Sequence, residues 1–564
     1  FLIKFPVTGT NSIESDRTAT TIPASGSVSF FLKIFNARHS QTTPRNFYLS
    51  VKPLSASWQE GTGMDMSGYS DLVNNNDGSN WITATGADTA ATATITFTGG
   101  PANGKVITII STDGTSVSYE TAASTDVAAN EFASGGGFDD KAEQLRLCII
   151  NSAGHNGKIT VSRSDAVLTL TQATNGFGGN TLITENMGSG VTATQFTGGT
   201  GQWSVAGGDY LTGSNYNVYF EKGTENIELD ITHLVEEWID GTPISDYGIG
   251  VMLTASSEAS ASTNLTGSTN SYYTKKFFGR TSEYFFKRPY IEARWDSRTK
   301  DERGNIYFSS SLMTADENIN TIYFYNYFRG QLRNVPDLGT GVVYASLFSG
   351  SSDDTEPSGD KLELHKDGTY VNDTSKTAMT GGYVSTGIYS ASFCLTSSSA
   401  APQTYYDVWW KTTTEYHTGS FTATRLKASN YNPDPTHVTS ITNLRPEYNR
   451  RESSSRFRLF IREKDWSPTI YTKASTAILN TTIESASFRV HRVIDNLEAI
   501  PYGTGSTLHT LLSYDVSGNY LDLDMSVLEG GYAYGMKFAY YNGAVSQWVE
   551  QPETFKFRVE DVED

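Results

Sequence analysis

The chain runs to 564 residues, of which 37% are hydrophobic and only 18% charged, and its formal net charge is −19. That field repels a polyanion, which excludes general nucleic-acid binding. Cys148 and Cys394 are the 2 cysteines, too few for a disulfide framework and not part of a CxxC metal or redox motif, and no apolar run reaches the ~18 residues of a membrane span, so no membrane insertion is expected.

At about 100–200 residues per domain, the length predicts about three to five domains. Phe1-Leu2-Ile3-Lys4-Phe5 reads as a strand without the layout of a signal peptide, and the missing initiator Met suggests a trimmed N-terminus. Residues 27–35 alternate with period two, and Phe47-Tyr48-Leu49-Ser50-Val51 follows after a Pro-bearing turn. From Ala84 to about Gly201 the composition shifts to Thr, Ala and Gly with few aromatics. Strands are predicted there at 93–97 and 105–110, with a hairpin turn at Asp113-Gly114, and a second hairpin is predicted from 158–162 and 167–170. A helix is predicted from Asp139, as N-cap, to about Ser152, with Ala142, Leu145, Cys148 and Ile149 on one face. A second helix is predicted from Ile231 to about Asp240, capped by Thr232 and ended by Gly241 and Pro243.

Aromatic-rich strands resume at Trp203, and 289–295 reads as a closing strand. A charged linker follows from Asp296 to Gly304, then strands at 305–308 and 321–325. Asn432-Pro433-Asp434-Pro435 marks a further boundary, and 556–560 is a closing strand. The expected fold is mainly β. A jelly-roll-like β-sandwich at 1–84 and 203–296 is split by a small α+β module at 85–202. Two immunoglobulin-like β-sandwich domains, 297–431 and 432–564, complete it. Insertion into a surface loop costs little loop-closure entropy.

Three clusters in the split sandwich carry a resemblance. They are Trp58-Gln59-Glu60-Gly61-Thr62-Gly63 with Asn80-Trp81; Ile231-Thr232 through Glu237-Trp238 with Tyr247-Gly248-Ile249-Gly250-Val251; and Phe277-Phe278-Gly279-Arg280 with Arg288-Pro289-Tyr290-Ile291-Glu292. In order and spacing this set resembles the DNRLRE family, a β-sandwich module of surface and secreted proteins. Gly279 and Thr281 depart from it, standing where Ser and an acidic residue are usual. The chain as a whole is similar to virion structural proteins of contractile-tailed marine and cyanobacterial phages. Residues 154–161 with 168–172, 462–471 and 512–520 carry that likeness. It implies a non-enzymatic component of the virion surface whose partners are other virion proteins and further copies of itself.

Few residues suggest chemistry. The 8 histidines are scattered, and no HExxH, GxSxG or Walker loop occurs. No catalytic residue, metal site or cofactor is expected, although a glycosidase carboxylate pair needs no local motif. Trp58, Trp81 and Trp238 with Glu60 are the candidate ligand site, a sugar-stacking platform for host-surface polysaccharide that would make the chain an adhesin or receptor-binding fibre. The competing reading places the same rings in the core. Residues 74–78 and 353–356 could offer oxygen ligands to Ca²⁺, but they read more simply as solvated turns. Arg450, Arg451, Arg456, Arg458 and Arg462 form the one basic concentration. Arg456 and Arg458 share a strand face, a candidate contact for an acidic neighbour or for lipopolysaccharide phosphates.

Overall fold

Alternating residues bury one face of a strand and leave the other to solvent. In Ser29–Ile34 this puts Phe30, Leu32 and Ile34 inside. The same rule holds for Thr92–Phe97, Val106–Ile110, Val167–Gln172, Ile388–Phe393 and Ser455–Glu463 of the computed structural model. It describes residues 1–40, 44–60, 78–80, 83–85, 88–205, 207–211, 213, 215–241, 244–258, 275–351, 353, 355–366, 369–370, 377–396, 404–425, 435–464 and 480–561. The fold is mainly β, of the β-sandwich class, and the chain divides into two units, Phe1–Ala293 and Arg294–Asp564.

In the first unit one sheet has the order Leu2–Ile3, Ile249–Leu253, Phe47–Pro53, Tyr216–Phe220. Another has the order Ile227–Asp230, Ser29–Ile34, Tyr290–Arg294. Phe47 is in register with Phe220, and their rings stack 5.2 Å apart. The strands flanking the central module are therefore direct neighbours, and the module enters and leaves on one side of the sandwich.

The module has its own two sheets. One joins Thr184–Glu185, Val106–Ile110, Ser116–Ala122 and Glu131–Ala133; the other joins Val191–Ala193, Thr92–Phe97, Val167–Gln172 and Ile159–Ser164. Ile95, Ile107, Ile109, Phe132, Leu168 and Leu170 meet in a separate core. The helix Phe138–Ile150 lays Ala142, Leu145, Cys148 and Ile149 onto it. Its N-cap is Gly137, not Asp139: the Asp140 carboxylate accepts the Gly137 N–H at 3.0 Å, and Asp139 falls within the first turn.

The helix Thr232–Asp240 ends at Gly241, whose φ of +69° is the left-handed conformation glycine tolerates best. Thr232 does not cap it. Its hydroxyl accepts the Phe30 N–H at 2.8 Å and donates to Asp230 Oδ1 at 2.6 Å, tying the helix start to the sheet. A further helix, Ile13–Thr18, escapes periodicity because it is only 6 residues long. Ser12 and Ser15 close a reciprocal capping box at its start. Arg17 anchors its end on Glu236 with a 2.7 Å bond.

The second unit opens with a large sheet. Its order is Ile306–Tyr307, Thr414–Thr424, Thr404–Lys411, Val343–Gly350, Met379–Ser385, Ile388–Phe393, Asn320–Tyr325. Ile322, Phe324, Leu347, Tyr389, Phe393 and Trp409 form its core. The C-terminal half has two sheets. One orders His437–Ile441, Ser455–Glu463, Gly518–Leu523, Ser513–Asp515; the other orders Glu447–Asn449, Phe555–Glu560, Tyr532–Asn542, Ala486–Arg492, Glu498–Ile500.

The stretch 296–304, which reads as a charged linker, is built into both halves of this unit. On one side Thr299 O accepts the Tyr514 N–H at 3.0 Å and Asp301 N–H donates to Tyr514 O at 3.1 Å. On the other, Glu302 accepts the Thr321 N–H and Arg303 binds Asp407. Asp301, Glu302 and Arg303 thus have partners within the fold, while Asp296 and Lys300 remain exposed.

Candidate functional site

The tryptophans do not assemble into a platform. Trp238 is 2% exposed, inside the first unit under its helix, and offers no face to a ligand. Trp58 is half-buried, packs against a cluster of Leu54, Ala56, Ala84 and Trp203, and donates its indole N–H to Tyr247 O at 2.8 Å. Trp81 lies outside the described residues, as do 74–77 and Asp354 of the two turn runs. Asp353 accepts hydroxyl protons from Ser351 at 2.7 Å and Thr355 at 2.9 Å, as a turn residue does. Glu60 is exposed and pairs with exposed Arg280 at 2.7 Å. An exposed pair of this kind contributes about 0–1 kcal/mol, so Glu60→Ala is expected to leave the denaturation midpoint of the first unit nearly unchanged in urea titration.

The arginines separate. Arg450 reaches Asp561 at 3.6 Å, the Arg451 N–H donates to Asn449 Oδ1 at 2.8 Å, and Arg462 Nη1 donates to Glu463 O at 3.3 Å. Arg456 and Arg458 are different. They project from one face of Ser455–Glu463 toward Gly518–Leu523, with Arg456 in register with Asp522 and Arg458 with Tyr520. Arg456 forks onto Asp522 at 2.9 and 2.8 Å, and Arg458 onto Asp515 at 2.7 and 2.8 Å. Both guanidinium groups lie over the Tyr520 ring, 4.3 and 5.1 Å from its centroid. The two central arginines of the basic patch expected from sequence are thus neutralised by aspartates of two further strands, Asp522 in Gly518–Leu523 and Asp515 in Ser513–Asp515.

These pairs form one wall of a cleft of about 500 Å³ within the second unit. The 296–304 stretch supplies Thr299 and Asp301, and the larger sheet with its Tyr327–Phe328 hairpin supplies Tyr325, Tyr327 and Ile388. Asp301 is 3% exposed and accepts the Tyr325 hydroxyl proton at 3.2 Å. Burial raises its pKa to about 6, and raises that of neighbouring Glu302 to about 7. Burial likewise pushes the Tyr325 phenol well above its ordinary value. Two arginines face three carboxyl groups here, so the cleft carries no excess positive charge.

Among the described residues no group of three or more His, Cys, Asp or Glu is arranged to hold a metal ion, and no helix is long and apolar enough to cross a membrane. Cys148 and Cys394 are buried thiols. Asp301, Asp515, Asp522, Tyr325 and Tyr327 have no local signal in the sequence. The alternation at Arg456 and Arg458 marks one wall, but the acids opposite lie on two strands, Ser513–Asp515 and Gly518–Leu523, whose pairing only the fold sets.

The fold and cleft define a mainly-β protein of the β-sandwich class, with a ligand-sized cleft in its second unit walled by two arginine–aspartate pairs. No family model matches the chain, and no curated protein matches it. Among solved structures, it is similar to the N-terminal Ig1-2 module of the Drosophila receptor protein tyrosine phosphatase DLAR, at 6% identity and a TM-score of 0.12. The match covers 43% of this chain and 90% of that one, a likeness too distant to carry an argument.

Proposed function

We propose that the chain is a non-enzymatic structural component of a tailed-phage virion. In this reading it is exposed on the capsid, collar or tail and acts through protein–protein contacts with other virion proteins and with its own copies. The observation that carries the contact role is on the first unit. Tyr48 and Tyr219 stand opposite each other on neighbouring strands, ring centroids 4.9 Å apart, and are 48% and 47% exposed. Tyr216–Phe220 is the terminal strand of its sheet as described. Tyrosines of this kind supply large, rigid contact area at low entropic cost and recur as interface anchors. The sequence likeness to phage virion proteins supplies the particle. Support for a non-catalytic role comes from the cleft, where Asp515 and Asp522 each spend both oxygens on an arginine.

Mass spectrometry of purified particles tests the proposal, since absence of the protein from them defeats it. A Tyr48→Thr/Tyr219→Thr variant, which keeps strand-favouring residues on both positions, is expected to keep its melting temperature nearly unchanged and to enter particles about tenfold less well. Incorporation equal to wild type would remove this surface from the assembly contacts.

A further inference from the structure

The cleft of the second unit takes no part in the contact role and points to an additional one. Its volume of about 500 Å³ falls within the range of about 300–1,000 Å³ usual for small-molecule sites. Its lining narrows the chemistry of an occupant. Arg456–Asp522 and Arg458–Asp515 are planar, bidentate pairs, so each presents spare N–H donors next to carboxylate lone pairs. A hydroxyl group, which both donates and accepts, matches such an edge. An anion does not, because both guanidinium charges are already neutralised and Asp301 adds a further acid. A cation does not, because the two guanidinium groups beside the aspartates repel it. Apolar surface is present as well: Ile388 and Leu332 line the cleft, and Tyr327 lines it with a ring that is 60% exposed. A half-open phenol ring beside polar pairs suits a molecule with one C–H face and a rim of hydroxyls.

We propose that this cleft binds a neutral saccharide, as a mono- or disaccharide segment of a longer glycan. The inference does not depend on the assembly role. A protein missing from particles could still bind sugar here, and one present in them need not.

The test uses the full chain in isothermal titration and ligand-observed NMR. The probes are neutral mono-, di- and trisaccharides of glucose, galactose, mannose, fucose, rhamnose and N-acetylhexosamines, with a sulfated heparin tetrasaccharide as the anionic comparison. At least one neutral sugar is expected to bind at millimolar concentration or below. Tyr327→Ala is expected to weaken it about tenfold, the size of a lost ring–sugar contact. Ser385→Trp, which fills the cleft from its lining, should abolish binding, and Tyr541→Ala, on an exposed ring that does not line it, should leave binding unchanged. Melting temperatures establish that each variant folds; should Ser385→Trp fail to, Tyr327→Ala decides, since its side chain is largely in solvent. The proposal is overturned if no neutral sugar binds, if the sulfated probe binds more tightly than every neutral one, or if Tyr327→Ala binds as wild type does.

Discussion

Replacing Asp407 with Ala is expected to cost the second unit about 3–5 kcal/mol, the range for breaking a buried, hydrogen-bonded ion pair by removing one partner. Asp407 is fully buried. It accepts a 2.7 Å bond from Arg303 Nη2, a second bond from Nη1, and a 2.6 Å bond from the Trp409 indole. Arg303 is itself 13% exposed, so Ala at 407 strands a guanidinium and an indole N–H where water cannot serve them. The neighbouring strand is shaped around the pair. Gly419 stands opposite Asp407, and a Cβ there would collide with the Arg303 guanidinium. Asp407→Asn keeps the volume and an acceptor and should cost less. A Arg303→Met/Asp407→Leu double variant should recover most of the loss, because it removes both desolvation penalties together. Urea unfolding followed by tryptophan fluorescence reads all three. A single-variant loss below about 1 kcal/mol would show that the pair does not hold the start of this unit to its sheet.

That ion pair also marks where the sequence stopped being legible. The strands were readable because alternation is a local property. The alternation of 27–35 and of Lys556–Glu560 is visible directly, and the structure has strands Ser29–Ile34 and Phe555–Glu560 there. The two amphipathic helices were readable for the same reason, to within a residue or two at their ends. In 296–304 the sequence shows a charged linker and no more. Nothing local tells that Arg303 will find Asp407, or that Glu302 will lie beside Tyr514. The candidate site was legible only in part. Trp238 reads either as a sugar face or as core, and the structure buries it, as the core reading expects. Arg456 and Arg458 looked like a free basic face and are not, because Asp515 and Asp522 reach them through strand pairing. Pairing across some sixty residues depends on register, and register is a property of the whole sheet.

The second large effect is a dependence on pH with an unusual sign. Asp301 and Glu302 have ordinary values of 3.8 and 4.5, and burial raises them to about 6 and about 7. Each binds its proton more tightly folded than unfolded, so folding takes up protons between the ordinary and raised values. The stability they contribute is fully present below their ordinary values and is lost as pH rises through about 6 to 7. Each shift corresponds to on the order of 3 kcal/mol. Glu484 is shifted in the same direction by burial and raises Glu302 further through its own charge, while Lys300 opposes. His417, His437 and His491 act with the opposite sign, since burial lowers their pKa and acidification must charge them. The wild-type profile therefore mixes two trends, and the difference between wild type and Glu302→Gln isolates one. The Gln oxygen can still accept the Thr321 N–H, and its amide can donate to the Tyr514 oxygen. Glu302→Gln is expected to be close to neutral at pH 4 and to stabilise the second unit by up to about 3 kcal/mol at pH 8. Urea midpoints taken at intervals from pH 4 to 8 give the difference curve. A flat difference would mean that Glu302 titrates as an ordinary surface carboxylate, and a stability gain confined to low pH would reverse the assignment of its buried, protonated state.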